Sequence, residues 1–487
     1  MTLLDSRVWE GQVFSGAWMH GSGEDYPAIE PATGETLGRV GSATPADVDE
    51  AVERAGKPQR AWAALPYSER AAVLRRAARL FEEHSREIET WVMRESGAIR
   101  PFASFQALGG GAEECYEAAG LAAAPYGELL RSGQERLSFA RRLPVGVVGV
   151  IAPFNAPVIL AVRAIAPALA LGNAVVLKPD PRTAICGGVV FARIFEEAGL
   201  PAGLLHVLPG GADVGAALVE HPRIPVIAFT GSTRAGRAVA TTAAHHLKRV
   251  HLELGGNSAL VVMDDVDLER AVSVGSYGSF VHAGQICMAS SRHLVHASLA
   301  EEYAALLAEH AEALPVGDPA GENVAVGPLI DAGQRDNVHR IVTASAEAGA
   351  RVAAGGRYEE LFYRPTVLTD VPQSAPAYQE EIFGPVAPVV AFQDLDEAAR
   401  LAAGTEYGLS LGILTRDVTK GLALADRVPS GLVHINDQTV NDEATIPFGG
   451  VGDSGNGSRH GGTAANLDAF TEQQWVTVRG ELPQYPF

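Results

Sequence analysis

Short apolar runs alternate with helical patterns between residues 146 and 254, and this alternation restricts the possible folds more than any other feature of the chain. The runs 146–152 and 173–178 are apolar, rich in valine and bounded by Gly or Pro, as is typical of strands covered on both faces. The other predicted elements are strands at 204–208, 225–229 and 249–254 and helices at 157–171, 184–198, 213–220 and 234–246. This order predicts right-handed βαβ units and a parallel sheet.

A second alternating series follows residue 254. Its predicted strands lie at 258–263, 292–296, 389–392, 409–414 and 431–436, and its predicted helices at 268–280, 299–313, 332–348, 395–403 and 420–428. Amphipathic spacing also predicts helices at 45–53 and 68–92. The predicted fold class is therefore α/β with two domains, whose boundary lies where open α/β sheets bind ligands.

The overall charge disfavours several classes of partner. With 38 basic and 58 acidic residues, the chain carries a net charge of −20, which repels nucleic acids and anionic lipid surfaces. The most apolar region, 143–177, is interrupted by Asn155, Arg163 and several prolines, so no membrane span is predicted. Three cysteines and the absence of a secretory pattern at the N-terminus predict a cytoplasmic protein. No metal site is predicted.

The segment 228–236 can bind a phosphate group. Gly231 permits a tight turn after a strand, Ser232 and Thr233 can cap the following helix, and the free N–H groups at the helix start can face an anion. A P-loop NTPase is disfavoured because Arg237 and Ala238 stand where a Lys and a Ser or Thr are required. The alternative is an ordinary capped helix with no ligand.

Cys287 and Glu253 are the two residues best suited to catalysis. Cys287 lies in the run 284–288 and Glu253 in the run 251–257, and both runs are glycine-containing and poor in charge. A thiol can act as a nucleophile and a carboxylate can activate water, although an isolated cysteine is more often a buried apolar residue and an isolated glutamate a solvated charge. Asn155 supplies an amide that can bind an oxyanion.

These three segments together resemble the NAD(P)-dependent aldehyde dehydrogenase superfamily. Further resemblance to its motifs is found at residues 177–179, 229–233, 380–385 and 447–450 and in the stretch that ends at Trp475-Val476-Thr477. The resemblance extends from about residue 30 to about residue 478.

The resemblance implies two parallel-sheet α/β domains, one Rossmann-like and one catalytic, with a small β element for oligomerisation. Residues 1–126 and 144–254 are assigned to the NAD(P)-binding domain, 255–462 to the catalytic domain, and 127–143 and 463–487 to the oligomerisation element. A homodimer or homotetramer is implied. The implied cofactor-binding residues are Ala152, Pro153, Phe154, Lys178, Asp180, Gly211, Gly215, Phe229, Thr230, Gly231, Ser232, Leu254, Gly255, Glu381 and Phe383.

The resemblance also implies a reaction, the oxidation of a small-molecule aldehyde to the acid. The Cys287 thiolate attacks the aldehyde, and the Asn155 amide and the Cys287 backbone N–H hold the oxyanion. Hydride then passes to the cofactor, and Glu253 activates the water that hydrolyses the thioester. A CoA-acylating enzyme remains an alternative that the presence of Glu253 disfavours, and a relative without activity is disfavoured because all three residues are present.

The ribose-binding turn departs from the usual family pattern. Many members carry a Glu three residues after the Lys, where it excludes a 2′-phosphate, whereas this chain has Pro181 there and Asp180 one position earlier. The expected cofactor is NAD, and NADP remains possible.

The substrate prediction depends on the segments 436–448 and 455–458, which resemble the benzaldehyde and vanillin dehydrogenase branch. Phe448 and Ile286 are predicted to line the substrate site. Arg163 is a further candidate, because a charge in the apolar helix 158–169 needs a partner, and the alternative is pairing with a carboxylate. An acidic semialdehyde remains possible as a substrate because Arg163 could bind its carboxylate.

Overall fold

The computed structural model describes residues 2–487 and contains two seven-stranded sheets. Five strands of the first sheet are parallel and follow the predicted positions within one or two residues. In spatial order the strands are Arg249–Glu253, Val226–Thr230, Val147–Ile151, Ala174–Lys178, Leu205–Val207, Val13–Ser15 and Trp18–Met19. The last two strands pair antiparallel and were not predicted, because both are too short to show a sequence period.

Helices cover the first sheet on both faces. The crossover helices are Pro157–Ala170, Val190–Glu197 with the π-helical turn Ile185–Val189 before it, Ala212–Glu220 and Thr233–His245. The N-terminal helices are Ser6–Trp9, Pro45–Ala64, Tyr67–Glu83, Ser85–Ser96, Arg100–Phe105 and Glu113–Leu121, with a π-helical stretch at Gln106–Ala112. The predicted single helix 68–92 is wrong, because the chain breaks at His84, which leaves the regular helical conformation and separates two helices.

The second sheet is parallel except at one edge. Its strands in spatial order are Arg351–Ala354, Thr366–Thr369, Val386–Phe392, Ser290–His296, Ser258–Val262, Ser410–Leu414 and Leu432–Ile435, of which the first pairs antiparallel. The helices of this half are Leu268–Phe280, Ala300–Ala313, Ala332–Glu347, Pro376–Gln379, Leu395–Ala402 and Val418–Ala425. The two strands at 351–354 and 366–369 were not predicted.

A third, antiparallel sheet joins Thr471–Val478, Leu137–Pro144 and Gly127–Leu129, and the helix Thr463–Phe470 precedes it. Three short two-stranded antiparallel sheets complete the fold: Tyr26–Ile29 with Thr36–Val40, Tyr358–Glu359 with Phe362–Tyr363, and Tyr407–Gly408 with Val451–Gly452. Within residues 2–487, no helix has the length and apolar character needed to cross a membrane.

The connection between the two large sheets determines where the site lies. The last strand of the first sheet ends at Glu253, and the first strand of the second sheet begins at Ser258, so four residues cross from one hydrophobic core to the other. Glu253 therefore stands at the carboxyl end of a parallel strand and beside the crevice between the sheets, which is where open α/β sheets bind ligands.

Candidate active site

Two cavities meet at Cys287. One has a volume of about 250 Å³ and is lined mainly by apolar side chains, and the other has a volume of about 550 Å³ and follows the carboxyl ends of the first sheet. Asn155, Leu160 and Cys287 line both cavities. A reactive thiol and an amide thus stand at the junction of two spaces, each large enough for part of a ligand.

The turn before Cys287 has an unusual backbone. His282, Ala283 and Gly284 have φ values of 51°, 52° and 66°, in the left-handed region. A Cβ atom on Gly284 would lie 2.2 Å from the carbonyl oxygen of Gly384, so only glycine fits there. These three residues turn the chain sharply between the helix that ends at Phe280 and the strand that begins at Ser290, and the turn brings Cys287 to the junction.

The surroundings of the Cys287 thiol disfavour its ionisation. Burial raises the pKa of the Cys287 thiol, and the negative charges of Glu381 and Glu253 raise it further. Since the thiolate is the nucleophilic form, the geometry calls for a base or a positive charge at the moment of attack.

Glu253 is almost fully buried, with 3% of its surface exposed, and lines neither cavity. Both carboxylate oxygens lack a hydrogen-bond partner among residues 2–487. Burial raises the pKa of Glu253 well above its ordinary value, an effect that Arg163 and Arg459 oppose only in part. A buried carboxylate with free oxygens and a raised pKa can accept a proton from water once its side chain turns toward the thiol.

Asn155 follows the central strand Val147–Ile151 and is 4% exposed. It precedes the helix Pro157–Ala170, in which Pro157 is the first residue, as is common because its missing N–H would be unpaired there in any case. The strand end and the helix start fix the position of Asn155 beside Cys287, which is the arrangement that an oxyanion site requires.

The second cavity has the features of a dinucleotide cleft. All the predicted cofactor residues line it except Gly211 and Gly215. The side chain of Ser232 accepts a hydrogen bond from the N–H of Ala235 at the start of the helix Thr233–His245, whose remaining N–H groups can face a phosphate. A Cβ atom on Gly236 would lie 2.3 Å from Leu254, so glycine allows this helix to approach the sheet closely.

Glu381 closes the other side of the cleft. The N–H of Gly256 donates to its Oε1 at 2.9 Å, and a Cβ atom on Gly255 would lie 2.1 Å from its Oε2. Burial raises the pKa of Glu381 to about 7. Phe154 and Phe383 meet edge to face with their ring centroids 5.8 Å apart. The structure thus brings together residues from both halves of the chain that the motifs had placed in one site.

The ribose-binding turn contains a residue that the sequence analysis missed. Arg182 pairs with Asp180 at 2.9 Å and with Asp331 at 2.7 Å, and its guanidinium lies 4.1 Å from the centroid of the Phe154 ring. Asp180 and Arg182 line the cleft, whereas Pro181 faces a different surface cavity. Asp180, one position before Pro181, is therefore the carboxylate of this turn that lines the cleft, and it is paired there with Arg182.

Gly211 and Gly215 lie outside the lining of the cleft. Gly211 precedes the helix Ala212–Glu220, and a Cβ atom on Gly215 would be 3.8 Å from Cδ of Lys178. Lys178 itself lines the cleft, and its Nζ donates to the carbonyl oxygen of Pro179 at 3.2 Å. Gly215 thus packs near a residue that lines the cleft, and the cofactor roles of both glycines stay predictions.

The smaller cavity is formed by side chains from distant segments. Phe448 and Ile286 line it, as predicted, and so do apolar residues that the sequence analysis did not name as candidates: Phe102, Phe105, Ile159, Leu160, Met288 and Val440. Phe102 and Phe105 belong to the helix Arg100–Phe105, and their spacing of three residues was the only available signal. The polar lining consists of Tyr277, Gln438, Asn441 and Asp442, with Asn155 and Cys287 at the inner end.

Arg163 lies behind the wall of this cavity and does not line it, which corrects its prediction as a substrate residue. It is 2% exposed, and its Nη2 bonds Asp442 at 2.5 Å and Glu114 at 3.4 Å. The guanidinium also lies 4.7 Å from the centroid of the Phe448 ring. Pairing with carboxylates, the alternative considered for Arg163, is what satisfies its charge.

Comparisons with known proteins agree with this geometry. The model of the Aldehyde dehydrogenase family matches residues 18–476. The chain is 64% identical over 487 residues, 100% of both chains, to a vanillin dehydrogenase of an Amycolatopsis species. It is 48% identical over 484 residues, 99% of both chains, to a benzaldehyde dehydrogenase [NAD(+)] of Pseudomonas putida.

The fold has a solved counterpart as well. A salicylaldehyde dehydrogenase from Pseudomonas putida G7, solved in complex with salicylaldehyde, superimposes with a TM-score of 0.94 at 35% identity, covering 98% of this chain and 99% of that one. An NAD+ complex of aldehyde dehydrogenase from Bacillus cereus superimposes with a TM-score of 0.93 at 33% identity and 97% coverage of each chain. The predicted α/β fold with two large sheets is confirmed. Given the extent of the family match, the chain belongs to the aldehyde dehydrogenase family.

Proposed function

We propose that this protein oxidises an aromatic aldehyde, such as benzaldehyde or a hydroxylated relative, to the carboxylic acid with NAD as the hydride acceptor. The observation that carries the proposal is the position of Cys287 and Asn155 at the junction between a cavity lined by aromatic and aliphatic side chains and a dinucleotide cleft. The similarity to vanillin and benzaldehyde dehydrogenases supports the same substrate class.

The shape and lining of the substrate cavity favour a flat ring. Phe102, Phe448 and Ile286 offer apolar contact surface, and a volume of about 250 Å³ suits a single substituted ring. A rigid ring buries a large apolar area without freezing internal rotations, so it binds such a cavity better than a flexible chain of similar size. Tyr277 and Asn441 are suited to accept or donate hydrogen bonds to a ring hydroxyl.

The cleft fits NAD. Ser232 and the helix that begins at Thr233 can hold the pyrophosphate, Lys178 and Asp180 can hold the adenosine ribose, and Glu381 can hold the nicotinamide ribose. When bound, NAD takes up the hydride. Asp180 repels a 2′-phosphate, so NAD is the proposed cofactor, and the benzaldehyde relative is named as NAD(+)-dependent.

The roles of the protein groups follow from their positions. Cys287 releases its proton to solvent water and forms a bond to the aldehyde carbon, while the Asn155 amide and the Cys287 N–H stabilise the oxyanion. After the hydride has left, a thioester remains on Cys287. Glu253 then takes a proton from a water molecule that attacks this thioester, and the acid is released with the thiol restored.

A panel of aldehydes tests the proposal. NADH and NADPH formation is measured with benzaldehyde, vanillin, acetaldehyde and succinic semialdehyde, each with NAD and with NADP and with and without CoA. We expect kcat/KM for benzaldehyde to exceed that for acetaldehyde by about ten- to two-hundredfold, the discrimination that an apolar pocket supplies. A better rate with an aliphatic or acidic aldehyde would contradict the aromatic assignment, and an acyl-CoA product would contradict the hydrolytic one.

We further propose that the protein is a cytoplasmic homodimer or homotetramer with the domain boundaries given above. The proposal is supported by the third sheet, which projects apolar side chains into solvent: Leu129 is 81% and Trp475 61% exposed. Light scattering after size-exclusion chromatography gives the number of subunits. Trp475→Glu should shift this number downward, and a monomeric wild-type protein would contradict the proposal.

A further inference from the structure

The pair Arg163 and Asp442 has a feature that the proposed function does not use. Arg163 is buried in the helix Pro157–Ala170, and Asp442 reaches it from the loop before Phe448 with an N–O distance of 2.5 Å. Asp442 lines the substrate cavity, whereas Arg163 lies behind it. The cavity wall therefore contains a buried carboxylate, 7% exposed, whose partner cation is hidden.

The cation is not saturated by these contacts. Only Nη2 of Arg163 bonds carboxylates, and its Nε and Nη1 have no hydrogen-bond partner among residues 2–487. Glu114 is the second acid, at the longer distance of 3.4 Å, and it lines neither cavity. An arginine with free donors beside an apolar cavity would attract an anionic substrate group if no protein carboxylate paired with the arginine.

We propose that Asp442 is a specificity-determining residue: it occupies, as an internal counter-ion of Arg163, the place that a substrate carboxylate would otherwise take, and thereby restricts the site to uncharged aldehydes. The proposal rests on the proposed function, because it assumes that the apolar cavity binds the substrate ring. An anionic aldehyde would have to enter beside Asp442 with no free cation to compensate it. A neutral ring meets no such opposition.

The charges around the pair point in the same direction. Asp442, Glu114 and Glu253 all lie close enough to Arg163 for their charges to act on it, and Arg459 acts on Glu253 from the other side. Asp442 is the one member of this cluster that lines the cavity, so a ligand there meets a carboxyl group and not the guanidinium. Phe448 separates the guanidinium from the cavity by one ring thickness.

The first test needs no variant. The wild-type protein is assayed with 2-, 3- and 4-carboxybenzaldehyde and with the methyl ester of each, which matches the acid in ring and approximate size but carries no charge. We expect at least one ester to be oxidised with a kcat/KM about a hundredfold or more above that of its acid. Oxidation of the acids as efficient as that of the esters would overturn the proposal.

The second test removes the negative charge of Asp442. Asp442→Asn should raise the ratio of kcat/KM for the best carboxybenzaldehyde to that for benzaldehyde by about ten- to a hundredfold, and Arg163→Met in the same chain should abolish the gain. Glu114→Gln is the matched control, because it removes the other carboxylate at Arg163 without changing the cavity lining, and it should shift the ratio far less. An unchanged ratio in Asp442→Asn, or a gain that survives Arg163→Met, would refute the counter-ion role.

The outcomes separate this proposal from the proposed function. A wild-type protein that does not oxidise benzaldehyde would refute the function, whereas an unchanged ratio in an active Asp442→Asn variant refutes only the role of Asp442. Thermal unfolding shows whether Asp442→Asn is folded. If it is not, Asp442→Ser, which also vacates the space of the carboxylate, is measured in the same way, and an unchanged ratio in that variant refutes the role of Asp442.

Discussion

The two cavities that meet at Cys287 are built in different ways. The cofactor cleft is formed largely by turns at strand ends, where backbone N–H groups and close glycine contacts define the space, as at Gly231 and Gly255. The substrate cavity is formed by side chains, and residues as distant in sequence as Phe102 and Phe448 share it. A backbone turn can be altered only within narrow limits, whereas a side-chain wall can be exchanged residue by residue. The cleft therefore defines the general reaction, and the cavity defines the substrate.

Cys287 belongs to both cavities, and its removal should have the largest effect. Cys287→Ala should lower kcat by at least about 10⁴-fold, because no other group can form the bond to the aldehyde. NAD binding, measured by calorimetry, should change little, since the cleft is defined elsewhere. Loss of NAD binding together with activity would show that the two cavities are not separable at this residue.

Replacement of Glu253 should separate the formation of the thioester from its hydrolysis. Glu253→Gln should lower steady-state turnover by about 10²- to 10⁴-fold, because hydrolysis of the thioester lacks its base. A rapid burst of NADH equal to the enzyme concentration should remain, since bond formation and hydride transfer precede that step. Stopped-flow absorbance measures both phases. Equal loss of burst and turnover would assign Glu253 to thiol activation or to a structural role.

The difference between the cavities also explains what could be predicted from the sequence. The strand ends near Phe229 and Glu253 and the turn at Gly231 follow local patterns, and the structure ends both strands within one residue of the predicted positions. Arg182 and Asp442 could not be assigned roles, because their partners, Asp331 and Arg163, are remote in sequence. The short antiparallel edge strands were missed for a related reason. Val13–Ser15 depends on pairing with Leu205–Val207 and is too short to show an alternation of apolar and polar residues.

Asp180 should control cofactor choice within the cleft. Asp180→Asn removes a negative charge and releases one partner of Arg182, so the NADP to NAD ratio of kcat/KM should rise. A charge about 4 Å from a phosphate is worth roughly 1 to 4 kcal/mol, or about five- to several-hundredfold. Pro181→Glu is the matched control, because Pro181 faces outside the cleft and should change the ratio less. A larger change in the NADP to NAD ratio for Pro181→Glu than for Asp180→Asn would place the adenosine ribose beside Pro181.

The pH dependence reports the burial of Glu253. Its raised pKa means that the ionised base is scarce at low pH, so the rate of thioester hydrolysis should fall about tenfold for each pH unit below that pKa. The sign follows from burial: a carboxyl group with a raised pKa loses its proton only at higher pH, and activity increases with pH through this range. This dependence is measured as the single-turnover rate of acyl-enzyme hydrolysis at a series of pH values. A fall in the hydrolysis rate at the pH where ordinary carboxyl groups titrate would mean that Glu253 is solvated during the reaction.

Phe448 should show the smallest effect and the most specific one. Its ring lines the substrate cavity and covers the Arg163 guanidinium, so Phe448→Ala removes apolar contact with the substrate and thins the wall in front of the charge. We expect the preference for benzaldehyde over acetaldehyde to fall by about tenfold, since the lost contact is worth roughly 1 to 3 kcal/mol. The NADH burst should keep its amplitude, because Cys287 and Asn155 are unchanged. Phe105→Ala is the control: Phe105 lines the same cavity but is 38% exposed, so less contact is lost. A fall in the rates for both aldehydes by the same factor would instead show that Phe448 supports the reaction centre and not the substrate ring. In that case a residue of the substrate cavity would contribute to the chemical step and not to the choice of substrate.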